Sequence, residues 1–203
     1  MRFEYVVDGW GTGEVWVCDG LLVHHELASG AAPGVELDDA GEIRLRDDGP
    51  NSGRGQRDRP AEDAGPRHGG ASTPGVTVAG EVQQDRVEFV SDLCRRFAAH
   101  LGGTEVDYAD VPIDLDWCTP LQRDIATALR RVEWGEVVSY GELAERAGRP
   151  RAPRAAGSFC AQNQLQLVLP CHRIVAAGGI GGYGSSGVAL KRRLLALEGV
   201  DHL

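Results

Sequence analysis

Between positions 47 and 75 the chain carries no Val, Ile, Leu, Met or aromatic residue, while Gly, Pro, Arg and Asp abound. Such a stretch cannot bury enough apolar surface to offset the entropy of ordering it. It is therefore expected to be a disordered surface loop, and any core must be assembled from what lies on either side. The upstream side reads as β structure. In EVWVCDGLLVHHEL (14–27) two apolar runs flank Asp19-Gly20, a pair suited to the positive-φ positions of a tight hairpin turn. EIRLR (42–46) alternates like a half-buried strand.

The downstream side is helical. Val87, Val90, Leu93, Cys94, Phe97, Ala98 and Leu101 share one face, and Gly102-Gly103 end the run. Cys94 lies in that stripe and reads as core. A linker over 105–117 follows. Thr119-Pro120 then supply the cap and first residue of a helix with Leu121, Ile125, Leu129 and Val132 on its stripe. Ser139 and Glu142 have capping-box spacing and open a short helix closed by Gly148. A tight turn leads to a helix over about 151–162, with Pro153 tolerated in its first turn. Two short helices joined this way suggest a helix-turn-helix. LQLVLP (165–170) is of buried-strand type. A glycine-rich loop (181–187) precedes a last helix, which ends at Gly199.

The five cysteines are scattered without a CxxC pair, so each is judged alone. The first residues lack a basic segment followed by an apolar run, and nothing approaches the ~18 apolar residues of a membrane span. A soluble, cytoplasmic protein is expected. The net charge of −9 argues against nucleic acid until its distribution is seen. Residues 140–203 hold eight basic and four acidic groups, a net of +4, which leaves −13 on the first 139. A basic end on an acidic body can meet phosphate locally. Only one of the 21 basic residues is lysine. Either a high-salt cytoplasm or arginine-favouring codon use gives such a composition, and stability in molar KCl distinguishes them.

The chemistry concentrates in Leu169-Pro170-Cys171-His172-Arg173-Ile174. A cysteine attacks as thiolate, and a neighbouring base lowers the cost of ionising it. Adjacent residues of an extended strand point opposite ways, so His172 can serve Cys171 only across a sharp turn after Pro170 or through a bridging water. An inert buried thiol and a core histidine are the alternatives.

PCHR followed by Ile-Val resembles the active-site signature of the O6-alkylguanine-DNA alkyltransferases (methylated-DNA–protein-cysteine methyltransferases). GEVVSYGELAERAG with the arginines after it resembles that family's helix-turn-helix. Asn163, eight residues before the cysteine, and GGYGSSG…KRRLLALEG complete a likeness over about 119–200. The resemblance implies an α/β chain with a ribonuclease-H-like N-terminal α/β domain (1–112) and a mostly helical C-terminal domain with a helix-turn-helix (113–203). It implies single-turnover transfer of an alkyl group from O6-alkylguanine, and O4-alkylthymine as a further substrate, to Cys171. The partner would be double-stranded DNA containing alkylated guanine, met by a monomer with no cofactor and no membrane.

By the same resemblance His172 takes the thiol proton through a water and Glu198 orients His172. A carboxylate partner favours the imidazolium. At a helix end Glu198 opposes the helix dipole, which itself argues for a specific partner. Tyr140 would help rotate the target nucleotide and protonate the leaving guanine, and Arg154 would fill the vacated base stack. Ala152 and the small residues after Arg154 would let their helix lie close to the minor groove. Arg149 and Arg151 would touch phosphates. Asn163 would shape the turn exposing Cys171, and Tyr183, Gly184, Ser185 and Ser186 would line the guanine pocket. Lys191 would be structural or near the pocket.

The pattern departs from the family at Pro153, Gln164, Trp134, Cys118 and in the loop GYGSSG. Other readings are a lesion-binding protein without chemistry, a helix-turn-helix regulator and a Cys-His hydrolase. Cys18, His24 and His25 offer too few ligands at too loose a spacing for zinc, and no metal is expected.

Overall fold

The computed structural model describes residues 1–27 and 79–203. The strand expected at 42–46 and the loop expected at 47–75 lie outside the described residues. The sequence pattern predicts no strand before the hairpin, yet β1 (Arg2–Val7) pairs antiparallel with β2 (Gly11–Cys18), and β2 with β3 (Leu21–Glu26). The expected β2–β3 turn is present, with Asp19 and Gly20 at φ of 49° and 78°. Phe3, Tyr5 and Val7 alternate inward with Val15 and Val17. At Gly13 a Cβ would lie 2.4 Å from the Tyr5 ring, so only glycine lets that ring cross the sheet. Helix α1 (Ala79–Leu101) covers this face with the predicted stripe. Val90, Leu93, Cys94, Phe97 and Leu101 are all buried.

The outer edge of β3 is covered, as an exposed edge strand has to be. The Leu22 N–H donates to Pro112 and the His25 N–H to Gln164, so the linker and the segment before Cys171 both lie along it. The His25 side chain adds a second tie to that segment, 2.7 Å from the Gln166 carbonyl and 2.7 Å from the Tyr5 hydroxyl.

The remaining helices are α2 (Pro120–Leu129), α3 (Tyr140–Arg146), α4 (Pro153–Ala161) and α5 (Gly187–Leu197). Both predicted N-caps are formed, and each is a full capping box: Thr119 with Gln122, Ser139 with Glu142. Gly148, at φ 69°, ends α3 and turns the chain toward α4, which packs against it. Pro153 is the first residue of α4, where its missing N–H costs nothing. Strands β4 (Val138–Ser139) and β5 (Ile174–Val175) form a short parallel pair beside α3.

The segment 165–170 is buried as expected but is not a strand. Asn163 accepts from the Leu165 N–H and donates to the Leu169 carbonyl, and the Leu169 N–H bonds back to Leu165. These local bonds replace a sheet ladder with turns. Leu167 takes φ 68° there. Among the described residues no helix is long and apolar enough to cross a membrane.

Candidate active site

The chain leaves these turns at Pro170 and makes a single 3-10 turn, Cys171–Arg173. The sharp turn is present, but it does not set the imidazole against the thiol. It points the thiol toward α4 and the imidazole toward α5. Cys171 is 5% exposed, and its sulfur accepts from Asn163 Nδ2 at 3.0 Å. Burial pushes the thiol up, and Asn163 and Lys191 only partly offset this. Cys171 is therefore held as a thiol at rest.

The thiol opens on a cavity of about 80 Å³ bounded by Tyr140, Gly157, Cys160 and Tyr183. Asn163, Ser185 and Ser186 border a smaller one beside it. Tyr140 lies beside Gly157 and Gly181, where a Cβ would make only ordinary contact with its ring. A Cβ on Gly157 would sit 3.8 Å from its ring, and one on Gly181 3.7 Å from it. Burial raises the Tyr140 phenol, so it stays protonated. The Tyr183 hydroxyl is buried and interacts with the Cys171 thiol without completing a well-formed hydrogen bond. Lys191 is structural. Buried, it donates to the carbonyls of Ile174 and Gly182 and so ties the pocket loop to β5.

On the other side of the turn His172 is fully buried. Its Nε2 lies 2.8 Å from Glu198 Oε1, while Nδ1 has no partner among the described residues. Glu198 caps the C-terminus of α5, as expected, and its partners offset the helix dipole. Arg173 donates to both carboxylate oxygens at 2.9–3.2 Å, and the Gly135 N–H lies 3.3 Å from Oε2. Burial alone would raise the Glu198 carboxyl, but His100, His172 and Arg173 together hold it well below the usual carboxylate range.

Here the structure corrects an expectation. Glu198 does not make His172 an imidazolium. The Arg173 guanidinium already balances the carboxylate, so a proton on His172 would leave a buried net positive charge. Burial lowers His172 to about 4 despite Glu198, and the resting ring is neutral.

Arg173 was not singled out from the sequence, although it stands inside the PCHR motif. It also bonds the Val132 carbonyl at 2.6 Å, joining the end of α2 to the relay. Trp134 lies 5.9 Å from its guanidinium. His100, at the end of α1, also reaches the relay. Only its place one residue from the apolar stripe could have hinted at this.

The residues expected to face DNA are not in one state. Arg151 and Arg154 are exposed and make no ion pair among the described residues. Arg149 is engaged, donating twice to Asp124 at 2.6 and 2.9 Å. Ala152 caps α4 without a side-chain bond. Cys18, His24 and His25 do not converge: Cys18 is exposed, His24 packs on Trp16 and His25 points into the core.

Among the described residues, His100, His172 and Glu198 form one group of metal-ligating atoms, all within 4.8 Å of one another. The donor set fits a cation poorly, because Arg173 occupies both Glu198 oxygens with its own positive charge.

Residues 120–200 match the model of the 6-O-methylguanine DNA methyltransferase DNA-binding domain. A methylated-DNA–protein-cysteine methyltransferase of Metallosphaera sedula is 42% identical over 115 residues, 57% of this chain and 70% of that protein. One from Methanopyrus kandleri is 36% identical over 126 residues, 61% of this chain and 93% of that protein. The Mycobacterium tuberculosis OGT solved in complex with DNA has a TM-score of 0.57 at 22% identity, covering 98% of this chain and 93% of that one. The O6-methylguanine-DNA methyltransferase of Pyrococcus kodakaraensis has a TM-score of 0.56 at 21% identity, covering 98% and 100%. The fold is thus the α/β fold of the O6-methylguanine methyltransferases, and the site is a buried thiol backed by a histidine–carboxylate pair. The chain belongs to the methylated-DNA–protein-cysteine methyltransferase family.

Proposed function

We propose that this chain repairs DNA by moving the alkyl group of O6-alkylguanine onto Cys171, once per molecule. The observation that carries this reading is the placement of Cys171. Its sulfur borders the cavity shared by Tyr140 and Tyr183, while the next residue, His172, is seated on Glu198 behind it.

In the reaction the bond from sulfur to the alkyl carbon forms as the bond from that carbon to O6 breaks. The thiol proton passes through a bridging water to His172 Nδ1, the ring nitrogen that Glu198 leaves free. Tyr140 supplies a proton to the departing guanine and is reprotonated from solvent as His172 gives up the thiol proton, so both groups return to their neutral forms. Because His172 is neutral and Cys171 protonated at rest, proton transfer and attack are coupled on the bound substrate. The thioether does not reverse, so the protein is consumed.

Helices α3 and α4 act as a helix-turn-helix on double-stranded DNA. Arg154 enters the stack vacated by the flipped guanine, and Arg151 contacts phosphate. Ala152 lets the start of α4 approach the minor groove. Arg149 reaches a phosphate only after leaving Asp124. Tyr183, Gly184, Ser185 and Ser186 hold the base, and Asn163 keeps the Cys171 turn in shape. The protein works as a cytoplasmic monomer without a cofactor. The division at 112/113 separates a ribonuclease-H-like unit from the domain that performs the chemistry.

The test is the intact mass of the protein after mixing with a duplex bearing O6-methylguanine, with Cys171→Ala beside it. One added methyl that maps to Cys171 and is missing from the variant supports the reading. Tight lesion binding with no mass change would replace it with a lesion-binding role.

A further inference from the structure

The N-terminal part of the chain places one titratable side chain in the relay. His100, in the last turn of α1, is fully buried, and neither ring nitrogen has a hydrogen-bond partner among the described residues. Its Nε2 lies 3.4 Å from Glu198 Oε1, the oxygen that His172 holds at 2.8 Å, and is too poorly aligned for a full hydrogen bond. The two imidazoles meet edge-on, with centroids 5.9 Å apart at 81°. Trp134 at 4.8 Å and Tyr108 at 5.8 Å wall the ring in. The charged groups around it are Glu198 and Arg173. A buried orphan nitrogen is unfavourable, and its retention against a carboxylate calls for a role.

A ring nitrogen facing an anion must carry the proton, because a lone pair there would be repelled. We propose that His100 is a positioning residue of the relay: its Nε2–H confines Glu198 Oε1 against His172, keeping His172 in the tautomer whose Nδ1 is free to receive the thiol proton. The inference rests on the alkyl-transfer reading above. It concerns a residue outside the matched 120–200 segment. It makes α1 part of the chemistry instead of packing alone.

The experiment uses the full chain labelled with 15N-histidine at neutral pH without DNA, followed by single-turnover methyl transfer from an O6-methylguanine duplex. In the unaltered protein, His100 and His172 are both expected as neutral Nε2–H tautomers. In His100→Leu, His172 is expected to populate both tautomers. Methyl transfer should then slow about threefold to tenfold, with duplex affinity unchanged. His100→Gln restores an amide donor at the same reach and should recover tautomer and rate. The proposal is overturned if His172 is unmoved in His100→Leu, or if Leu and Gln impair transfer equally, which would make the effect one of packing. Should the Leu variant not fold, an Nδ1–H tautomer of His100 in the unaltered protein overturns it just as well. Loss of methyl transfer in the unaltered protein, with both tautomers as expected, would strike the alkyl-transfer reading and leave the placement of His100 standing.

Discussion

Two regions meet at Cys171 and are built in opposite ways. Behind the thiol, His172, Glu198, Arg173 and His100 are 6% exposed or less and already arranged around one carboxylate. In front, Tyr140 is half-buried, Arg151 and Arg154 project into solvent, and Arg149 is held by an acidic neighbour. The chemical side is organised before DNA arrives. On the proposed reading, the recognition side has its parts in place but leaves their final contacts to the ligand. This division is economical for a protein that acts once. The proton acceptor must be dry and fixed, whereas groups that enter a base stack cannot be buried beforehand.

The largest predicted effect comes from breaking the buried side. Glu198→Gln leaves the Arg173 guanidinium in the interior without its counter-charge, a situation that typically costs about 3–5 kcal/mol. Urea unfolding should show that loss, and methyl transfer should fall with it because His172 loses its fixed tautomer. If stability barely changes, the carboxylate is not the keystone of the relay and the two regions are less different than described.

On the recognition side the counterpart is Arg154→Ala. The side chain is exposed and unpaired among the described residues, so stability should hold within about 0.5 kcal/mol. Transfer from a duplex should drop about 10- to 100-fold, the weight of a lost stack-filling contact. Transfer from the free O6-methylguanine base, which needs no extrusion, should be unchanged. Equal losses on both substrates would place Arg154 in the chemistry.

Acid acts through buried histidines, both in the relay and in the sheet. His172 falls to about 4 and His25 to about 3 in the fold, both through burial, from an ordinary 6.5. Between those values the unfolded chain binds more protons, so stability should decline as pH drops from about 6.5 toward 4. Glu198, depressed in the fold, adds its own loss below the ordinary carboxylate range. Thermal unfolding across pH 4–8 tests this. In the same series the methyl-transfer rate should show no inflection near 6.5, because His172 is already neutral there. A step at that pH would mean that burial does not depress His172, and one above neutral pH would mean that the resting relay carries the imidazolium.

The contrast between the regions also explains what was readable in the sequence. The hairpin at Asp19-Gly20, the N-caps at Thr119 and Ser139, the stripe of α1 and the place of Pro153 in the first turn of α4 are local rules, and all are present. Strand β1 is not legible although Phe3, Tyr5 and Val7 alternate, because so short a run is ambiguous without its partner. Segment 165–170 reads as a strand because its apolar composition states burial, not conformation; Asn163 sets the latter. In the site, His172 and Glu198 came from the motif. The grip of Arg173, the approach of His100 and the Asp124 partner of Arg149 join residues distant in the chain, and no spacing rule encodes them.

Arg149 offers the smallest effect and the finest test of how unfinished the recognition side is. Its pair with Asp124 is exposed on both sides, and such a pair is worth about 0–1 kcal/mol. A phosphate can therefore displace Asp124 at little cost. Asp124→Asn should leave stability within about 0.5 kcal/mol. It should tighten duplex binding more at 50 mM than at 200 mM salt, steepening the log–log salt dependence by up to about one unit as the freed guanidinium takes a phosphate. Arg151→Ala should flatten the same plot by about one unit. If the slope ignores Asp124→Asn but responds to Arg151→Ala, Arg149 is a brace between α2 and the turn before α4. The phosphate contact on this face then belongs to Arg151.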